Sequence, residues 1–290
     1  MKLHRSIIIL AAAILAVSCA DADKKFVRKA VGIMDKNGLF AEGPQWEAAK
    51  TEALAASPAS PEEARQLVET ALKVAGGKHS FLQSAQSVQQ DATSEWATPS
   101  VSFLEDGIPV IMLPHFSGNS DEGLKYANAV LEALPETLPG VVIDLRGNTG
   151  GKMYPMIAAV QRFLPDGDVI RFRTRKRTQW IPLDFVLKTV GVQRLSRIEC
   201  PVAILTDDMT ASSGEAVLIG FRGLDNVRVF GAPTAGYASA NTPFPLPDGS
   251  NLVLTTGCDV ARTGEAFCDD PIVPDVPTDD PLATALAWLR

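Results

Sequence analysis

At 290 residues, with 46% apolar and 21% charged side chains, the chain has room for one large domain or a compact domain with an appendage. A formal net charge of -7 argues against nucleic acid as a partner, and the densest basic stretch is short. That stretch alternates Arg171, Arg173, Arg175 and Arg177, which on a strand makes one solvated face.

Lys2, His4 and Arg5 precede the unbroken apolar run from Ile7 to Val17, and Ala20-Asp21-Ala22 matches a small-residue cleavage pattern. Residues 1–22 therefore read as a secretory signal, too short in its apolar part for a comfortable membrane span. Leu15-Ala16-Val17-Ser18-Cys19 also has the form of a bacterial lipobox, in which Cys19 becomes a lipidated N-terminus anchoring the protein to a membrane. Both processing readings stand, and both place the mature protein in the periplasm or cell envelope. In an oxidising compartment Cys258 and Cys268, which flank a polar stretch containing Gly264, can form a disulfide. Cys200 precedes the apolar run Pro201 to Leu205 and reads as a buried thiol. No C-x-x-C pair occurs and only three histidines are present, so no metal site is expected and no cofactor is implied.

Residues 23–95 read as a small helical N-terminal segment. Its clearest helix starts at Ser60, with Pro61 at the first position and Glu63 completing a capping box. Ala64, Leu67, Val68, Ala71 and Leu72 then share one apolar face, and Gly76-Gly77 stops the helix. The Gln/Ser-rich residues 83–98 read as a connecting loop. From about residue 96 the pattern changes: a hairpin around Asp106-Gly107, a helix from Asp121 to Leu134, and the strand Val141-Val142-Ile143. A helix from Gly151 to Phe163 follows, then the strand Val202 to Leu205, a helix from Ala211 to Phe221, and the strand Val227 to Phe230. Short apolar strands alternating with helices predict an α/β core over residues 96–290, built of βαβ units with largely parallel pairing.

In such folds ligands gather at the carboxyl ends of the strands, and two strand ends carry unusual loops. The first is Asp144-Leu145-Arg146-Gly147-Asn148-Thr149-Gly150-Gly151, whose glycines expose backbone N–H groups suited to an oxyanion, or simply make a tight turn. The second is Thr206 to Glu215, which brings Ser212 to the start of a helix, where the macrodipole favours developing negative charge. Ser212-x-x-Glu215 is equally a capping box, leaving Ser213 to serve the helix if Ser212 is a nucleophile. A serine nucleophile needs a base, and outside the leader only His79 and His115 are available.

Taken together these segments resemble the C-terminal-processing, or tail-specific, serine protease family, related to the tricorn core. The resemblance rests on five motifs in order: Asp144 to Gly151, Thr210 to Glu215, Gly231-Ala232-Pro233-Thr234-Ala235-Gly236, Leu246-Pro247-Asp248-Gly249 and Pro274-Asp275. It implies a ClpP/crotonase-like α/β core and a peptide or protein substrate. Many members use a lysine base just after the G-x-x-T-x-G turn, where this chain has Tyr237. The tricorn-like and nisin-resistance-type branch takes its base from a His in a G-x-H-S context, which Gly77-Lys78-His79-Ser80 matches, leaving His115 a structural role. On the resemblance, Ser212 is the nucleophile and His79 the base. The oxyanion donors are then Ser213 N–H and one from Gly150 or Gly151, and Thr234, Gly236 and Tyr237 face the substrate. Asp269 or Asp270 stands near where the branch has an orienting Glu, with Ser80 or a bare dyad as alternatives. The PDZ domain of many members, about 80–100 residues, has no room between Phe81 and Val101, so substrate selection falls to the core, with the helical segment as a lid. A non-catalytic peptide-binding protein on the same scaffold and an esterase are the rival readings, although no G-x-S-x-G elbow surrounds Ser212.

Overall fold

A computed structural model describes residues 21–91 and 96–290; the leader motifs as far as Ala20, Cys19 among them, lie outside those residues. By their internal contacts the described residues form two units, residues 21–89 with 241–256, and residues 90–240 with 257–290. The helical unit thus also takes in residues 241–256, which the sequence pattern groups with the core.

The first unit is built on helices α1 (residues 21–37), α2 (Gly43–Ala55) and α3 (Pro61–Gly76). The expected capping box of α3 forms in half: the Ser60 hydroxyl accepts from Glu63 N–H at 3.2 Å, while the Glu63 carboxylate reaches one residue further and accepts from Ala59 N–H at 2.9 Å in place of Ser60 N–H. Ala64, Val68, Ala71 and Leu72 of α3 are buried against Phe26, Val31 and Met34 of α1, Trp46 of α2, and Leu252 and Leu254. Each large apolar side chain so buried contributes roughly 1.5–3 kcal/mol. Trp46 is fully buried and its indole N–H donates to Asp35 at 2.8 Å, so the ring's one polar atom is satisfied. Strand β1 (Phe81–Gln83) pairs antiparallel with the beginning of β10 (Asn251–Val260), Leu82 opposite Leu252.

The second unit contains a sheet ordered β12-β8-β7-β4-β3-β2. Its strands are β2 (Ser100–Phe103), β3 (Pro109–Met112), β4 (Val141–Asp144), β7 (Val202–Thr206), β8 (Val227–Gly231) and β12 (Val276–Pro277). All neighbours are parallel except the β2–β3 hairpin. Period-two alternation sends Val141, Ile143, Val202 and Ile204 into one core and Val142, Ala203 and Leu205 into another on the opposite face. Burial on both faces is why these strands read as unbroken apolar runs. The first core is covered by α5 (Ser120–Leu131), α6 (Met153–Ala159), α7 (Leu183–Val190) and α8 (Ser213–Phe221), and the second by α9 (Pro281–Leu289). Strands β5 (Asp168–Thr174) and β6 (Thr178–Pro182) form an antiparallel hairpin, and the end of β10 pairs with β5 and with β11 (Ala266–Phe267). Strand β9 (Ser239–Pro245) completes the strands.

Two local expectations change. Residues 85–91, expected as loop, form α4 (Ala85–Asp91), because the Ser84 hydroxyl caps it by accepting from Ser87 N–H at 3.1 Å. The basic alternation holds only for Arg171 and Arg173, since Arg175, Lys176 and Arg177 make the turn between β5 and β6. Cys258 is bonded to Cys268 across the β10–β11 hairpin, with Cα atoms 4.5 Å apart. Cys200 is a buried free thiol, pushed up to about 11 by that burial. No described helix is long and apolar enough to cross a membrane. The disulfide closes a short loop, and replacing both its cysteines by alanine is expected to cost about 2–3 kcal/mol. Urea unfolding of the oxidised parent and of the double variant, at constant slope, measures that difference.

Candidate active site

Strands β4 and β7 are parallel neighbours, Asp144 opposite Leu205, so the loops leaving their carboxyl ends emerge side by side. Polar side chains stitch those loops together. The Asp207 carboxylate accepts from the N–H groups of Gly147 (3.0 Å), Met209 (3.1 Å) and Thr210 (2.9 Å). The Thr210 hydroxyl accepts from Asp207 N–H at 3.1 Å and reaches Leu145 O at 2.9 Å. Asn148, fully buried, donates to Leu113 O at 2.7 Å, accepts from Gly150 N–H at 2.9 Å, and takes Ala211 N–H on its own carbonyl at 2.9 Å. Glycine is required at two of these contacts. A Cβ on Gly150 would lie 2.8 Å from Ser212 Cβ, and one on Gly151 would lie 2.0 Å from Phe116 O.

Ser212 sits at the entrance of α8 with φ 52° and ψ -114°, and among the described residues it is the one non-glycine with positive φ. A serine held there carries backbone strain of about 1–3 kcal/mol, which persists only where surrounding bonds over-determine it. They do so through Glu215. Ser212 and Glu215 occupy capping-box positions, and the backbone is held by Ser212 N–H donating to Glu215 Oε2 at 2.8 Å. The same fully buried carboxylate accepts from the Thr234 hydroxyl at 2.5 Å, Gly236 N–H at 2.9 Å and Tyr237 N–H at 2.7 Å. Burial raises the Glu215 pKa, and these four donors work against that rise by favouring the charged form. Asp259 on β10 is buried too, and burial first, then the Glu215 charge, hold its carboxyl well above the usual range.

Several expected site residues take different roles here. Gly150 N–H donates to Asn148 Oδ1 at 2.9 Å, and the absence of a side chain on Gly150 leaves space beside Ser212. Thr234 and the backbone of Gly236 support Glu215, and Thr234 also accepts from Ile272 N–H at 2.8 Å. Tyr237 is tied by its N–H and keeps a half-buried side chain. Ser213 sends its hydroxyl to Gly151 O at 2.6 Å. Asp275 of the closing Pro-Asp pair accepts from Val229 N–H at 2.8 Å and so steadies a strand. Asp269 is half-buried just past the disulfide, and Asp270 is exposed. His115 is not an ordinary core residue: its Cε1 lies 3.3 Å from the position a Cβ on Gly151 would take, and its Nδ1 is buried without a hydrogen-bond partner. Asn148, Asp207 and Asp259 were missed in the sequence, although Asn148 stands inside the first loop motif.

His79 belongs to the first unit, on the loop between α3 and β1. A Cβ on Gly76 would lie 2.0 Å from Ser80 Oγ, so α3 can close onto this loop only with glycine there. The buried Ser80 hydroxyl donates to Gly76 O at 2.9 Å and accepts from Thr255 N–H at 2.8 Å. The Thr255 hydroxyl donates to Asn241 Oδ1 at 2.8 Å, and Asn241 Nδ2 donates to His79 O at 2.8 Å. The His79 backbone is therefore held by residues far away in sequence. Burial, aided by the Lys78 charge, lowers the imidazole to about 4. Among the described residues no group of His, Cys, Asp and Glu is placed to hold a metal ion.

The profile of peptidase family S41 matches residues 107–278. A nisin-resistance protein of Lactococcus lactis subsp. lactis is 31% identical over 278 residues, covering 92% of this chain and 87% of that relative. A carboxy-terminal-processing protease of Bartonella bacilliformis is 27% identical over 181 residues; the match spans 62% of this chain and 40% of that protease. The solved structure of a lipoprotein from Streptococcus agalactiae superposes with a TM-score of 0.82 at 30% identity, over 92% of this chain and 96% of that one.

Removing the Glu215 carboxylate leaves four buried donors without an acceptor, which is expected to cost about 3–5 kcal/mol or more in Glu215→Ala. Denaturant unfolding measures this, and a change within about 0.5 kcal/mol, typical of surface sites, would deny Glu215 its supporting role.

Proposed function

This chain belongs to peptidase family S41 and is a serine-type peptidase, and we propose that Ser212 is its nucleophile and His79 its general base. The observation that carries the assignment is the strained Ser212 backbone at a helix entrance, held there by Glu215. In the proposed reaction Ser212 Oγ bonds to the scissile carbonyl carbon as an imidazole nitrogen of His79 takes the hydroxyl proton. His79 then returns that proton to the departing amine, and water cleaves the acyl-enzyme by the same relay in reverse. Ser213 N–H and Gly151 N–H are the proposed oxyanion donors, each worth about 10²–10³ in turnover. Asp269 is the proposed orienter of the imidazole. Burial supports the role of His79, because a base lowered to about 4 is neutral at pH 7 and ready to accept a proton.

The substrates we propose are the C-terminal regions of peptides or proteins, in keeping with the carboxy-terminal-processing relative. Export is supported by the apolar run Ile7 to Val17 and by likeness to a lipoprotein, with a lipidated Cys19 as the proposed membrane anchor.

Ser212→Ala is expected to abolish both peptide hydrolysis and fluorophosphonate labelling while leaving the circular dichroism unchanged; a variant that still labels and cleaves removes Ser212 from the mechanism. His79→Ala is expected to lower kcat/KM by about 10²–10⁴, far more than His115→Ala. Because the base must be neutral, activity should fall as pH drops through about 4, the value to which burial lowers His79. An activity that does not fall at all as pH drops below the ordinary histidine value of about 6.5 would count against His79.

A further inference from the structure

The β5–β6 hairpin has a chemistry that peptide hydrolysis does not use. From Asp168 to Pro182 it carries five cations, Arg171, Arg173, Arg175, Lys176 and Arg177, against one acid, Asp168, which lies 3.8 Å from the Arg171 guanidinium, in a chain of net charge -7. Pairing sorts its two faces. Ile170 lies opposite Ile181 and Phe172 opposite Gln179, with Ile170, Phe172 and Ile181 packed in the core. Arg171 lies opposite Trp180 and Arg173 opposite Thr178, so these side chains share the other face. The Arg171 guanidinium stacks 3.7 Å from the Trp180 ring centroid, yet Trp180 remains 52% exposed. At the tip the Thr174 hydroxyl accepts from Lys176 N–H at 3.2 Å and Arg177 N–H at 3.1 Å, and Thr174 N–H donates to Arg177 O at 2.9 Å. The turn therefore presents three consecutive cations on a braced backbone.

We propose that this hairpin docks on an anionic lipid bilayer. Clustered Lys and Arg side chains are drawn to an anionic surface, while an exposed indole beside them favours the headgroup boundary over a soluble polyanion. Charge complementarity accounts for the excess of cations over the single Asp168, and the bilayer accounts for the exposed Trp180. The inference rests on the hairpin alone and stands or falls independently of the roles given to Ser212 and His79.

The test is sedimentation of the full chain with vesicles of phosphatidylglycerol and phosphatidylcholine, against vesicles of phosphatidylcholine alone. Comparing variants within each vesicle type cancels whatever the apolar run Ile7 to Val17 contributes. The parent chain is expected to favour the anionic vesicles, and raising the salt should erode that preference. Losing one cation near the surface should weaken binding about fivefold, so R173A with R177A should lose at least about an order of magnitude. Trp180→Ala should weaken vesicle binding while leaving any binding of soluble polyphosphate unchanged. Hydrolysis of a soluble peptide should be the same in all these variants. Equal binding of the parent and the double arginine variant to anionic vesicles would overturn the proposal. So would binding to polyphosphate without any preference for anionic lipid, which would make the partner a soluble polyanion.

Discussion

The carboxylate of Glu215 accepts four hydrogen bonds where no water reaches it, and the geometry around Ser212 depends on that arrangement. Its donors come from the helix entrance and from the turn at Thr234 to Tyr237, so one ion joins two segments more than twenty residues apart. A neutral side chain could not satisfy four donors at once, whereas a carboxylate has lone pairs for all of them.

The same economy holds in the loops below. Asp207 gathers three backbone N–H groups, and Asn148 bridges Leu113, Gly150 and Ala211, so irregular backbone at the strand ends is satisfied by side chains where no ladder exists. Gly150 and Gly151 then allow the two loops to touch without a Cβ between them. In the first unit Ser80, Thr255 and Asn241 do for the His79 loop what Asn148 and Asp207 do in the second. Each proposed catalytic side chain thus stands on a loop whose backbone is pinned by buried polar groups, so that position is set by hydrogen bonds more than by helix or strand geometry.

Much of the scaffold was legible from pattern. The faces of α3, the hairpin at Asp106-Gly107 and the apolar strands β4 and β7 follow from local periodicity, because burial on one or two faces dictates which positions must be apolar. Helix α4 escaped because its start depends on a single Ser84 cap within a polar run. The bonds of Thr234 and Gly236 to Glu215 and of Gly150 to Asn148 are not legible in the motifs, because a motif records which residues recur together and not which atom each one turns inward. His115 was set aside as structural because nothing local relates residue 115 to residue 151.

By itself, then, the sequence determined the alternation of strands and helices, the two loop motifs at the strand ends, the candidate nucleophile and the two candidate bases. These are properties of neighbouring residues, governed by propensity, periodicity and spacing. Tertiary structure alone decided that Glu215 carries the turn at Thr234 to Tyr237, that Asn148 occupies the Gly150 N–H, and that Arg171 stacks on an exposed Trp180. Each of those depends on the direction of a hydrogen bond or side chain between segments distant in the chain, and such directions exist only once the backbone has closed.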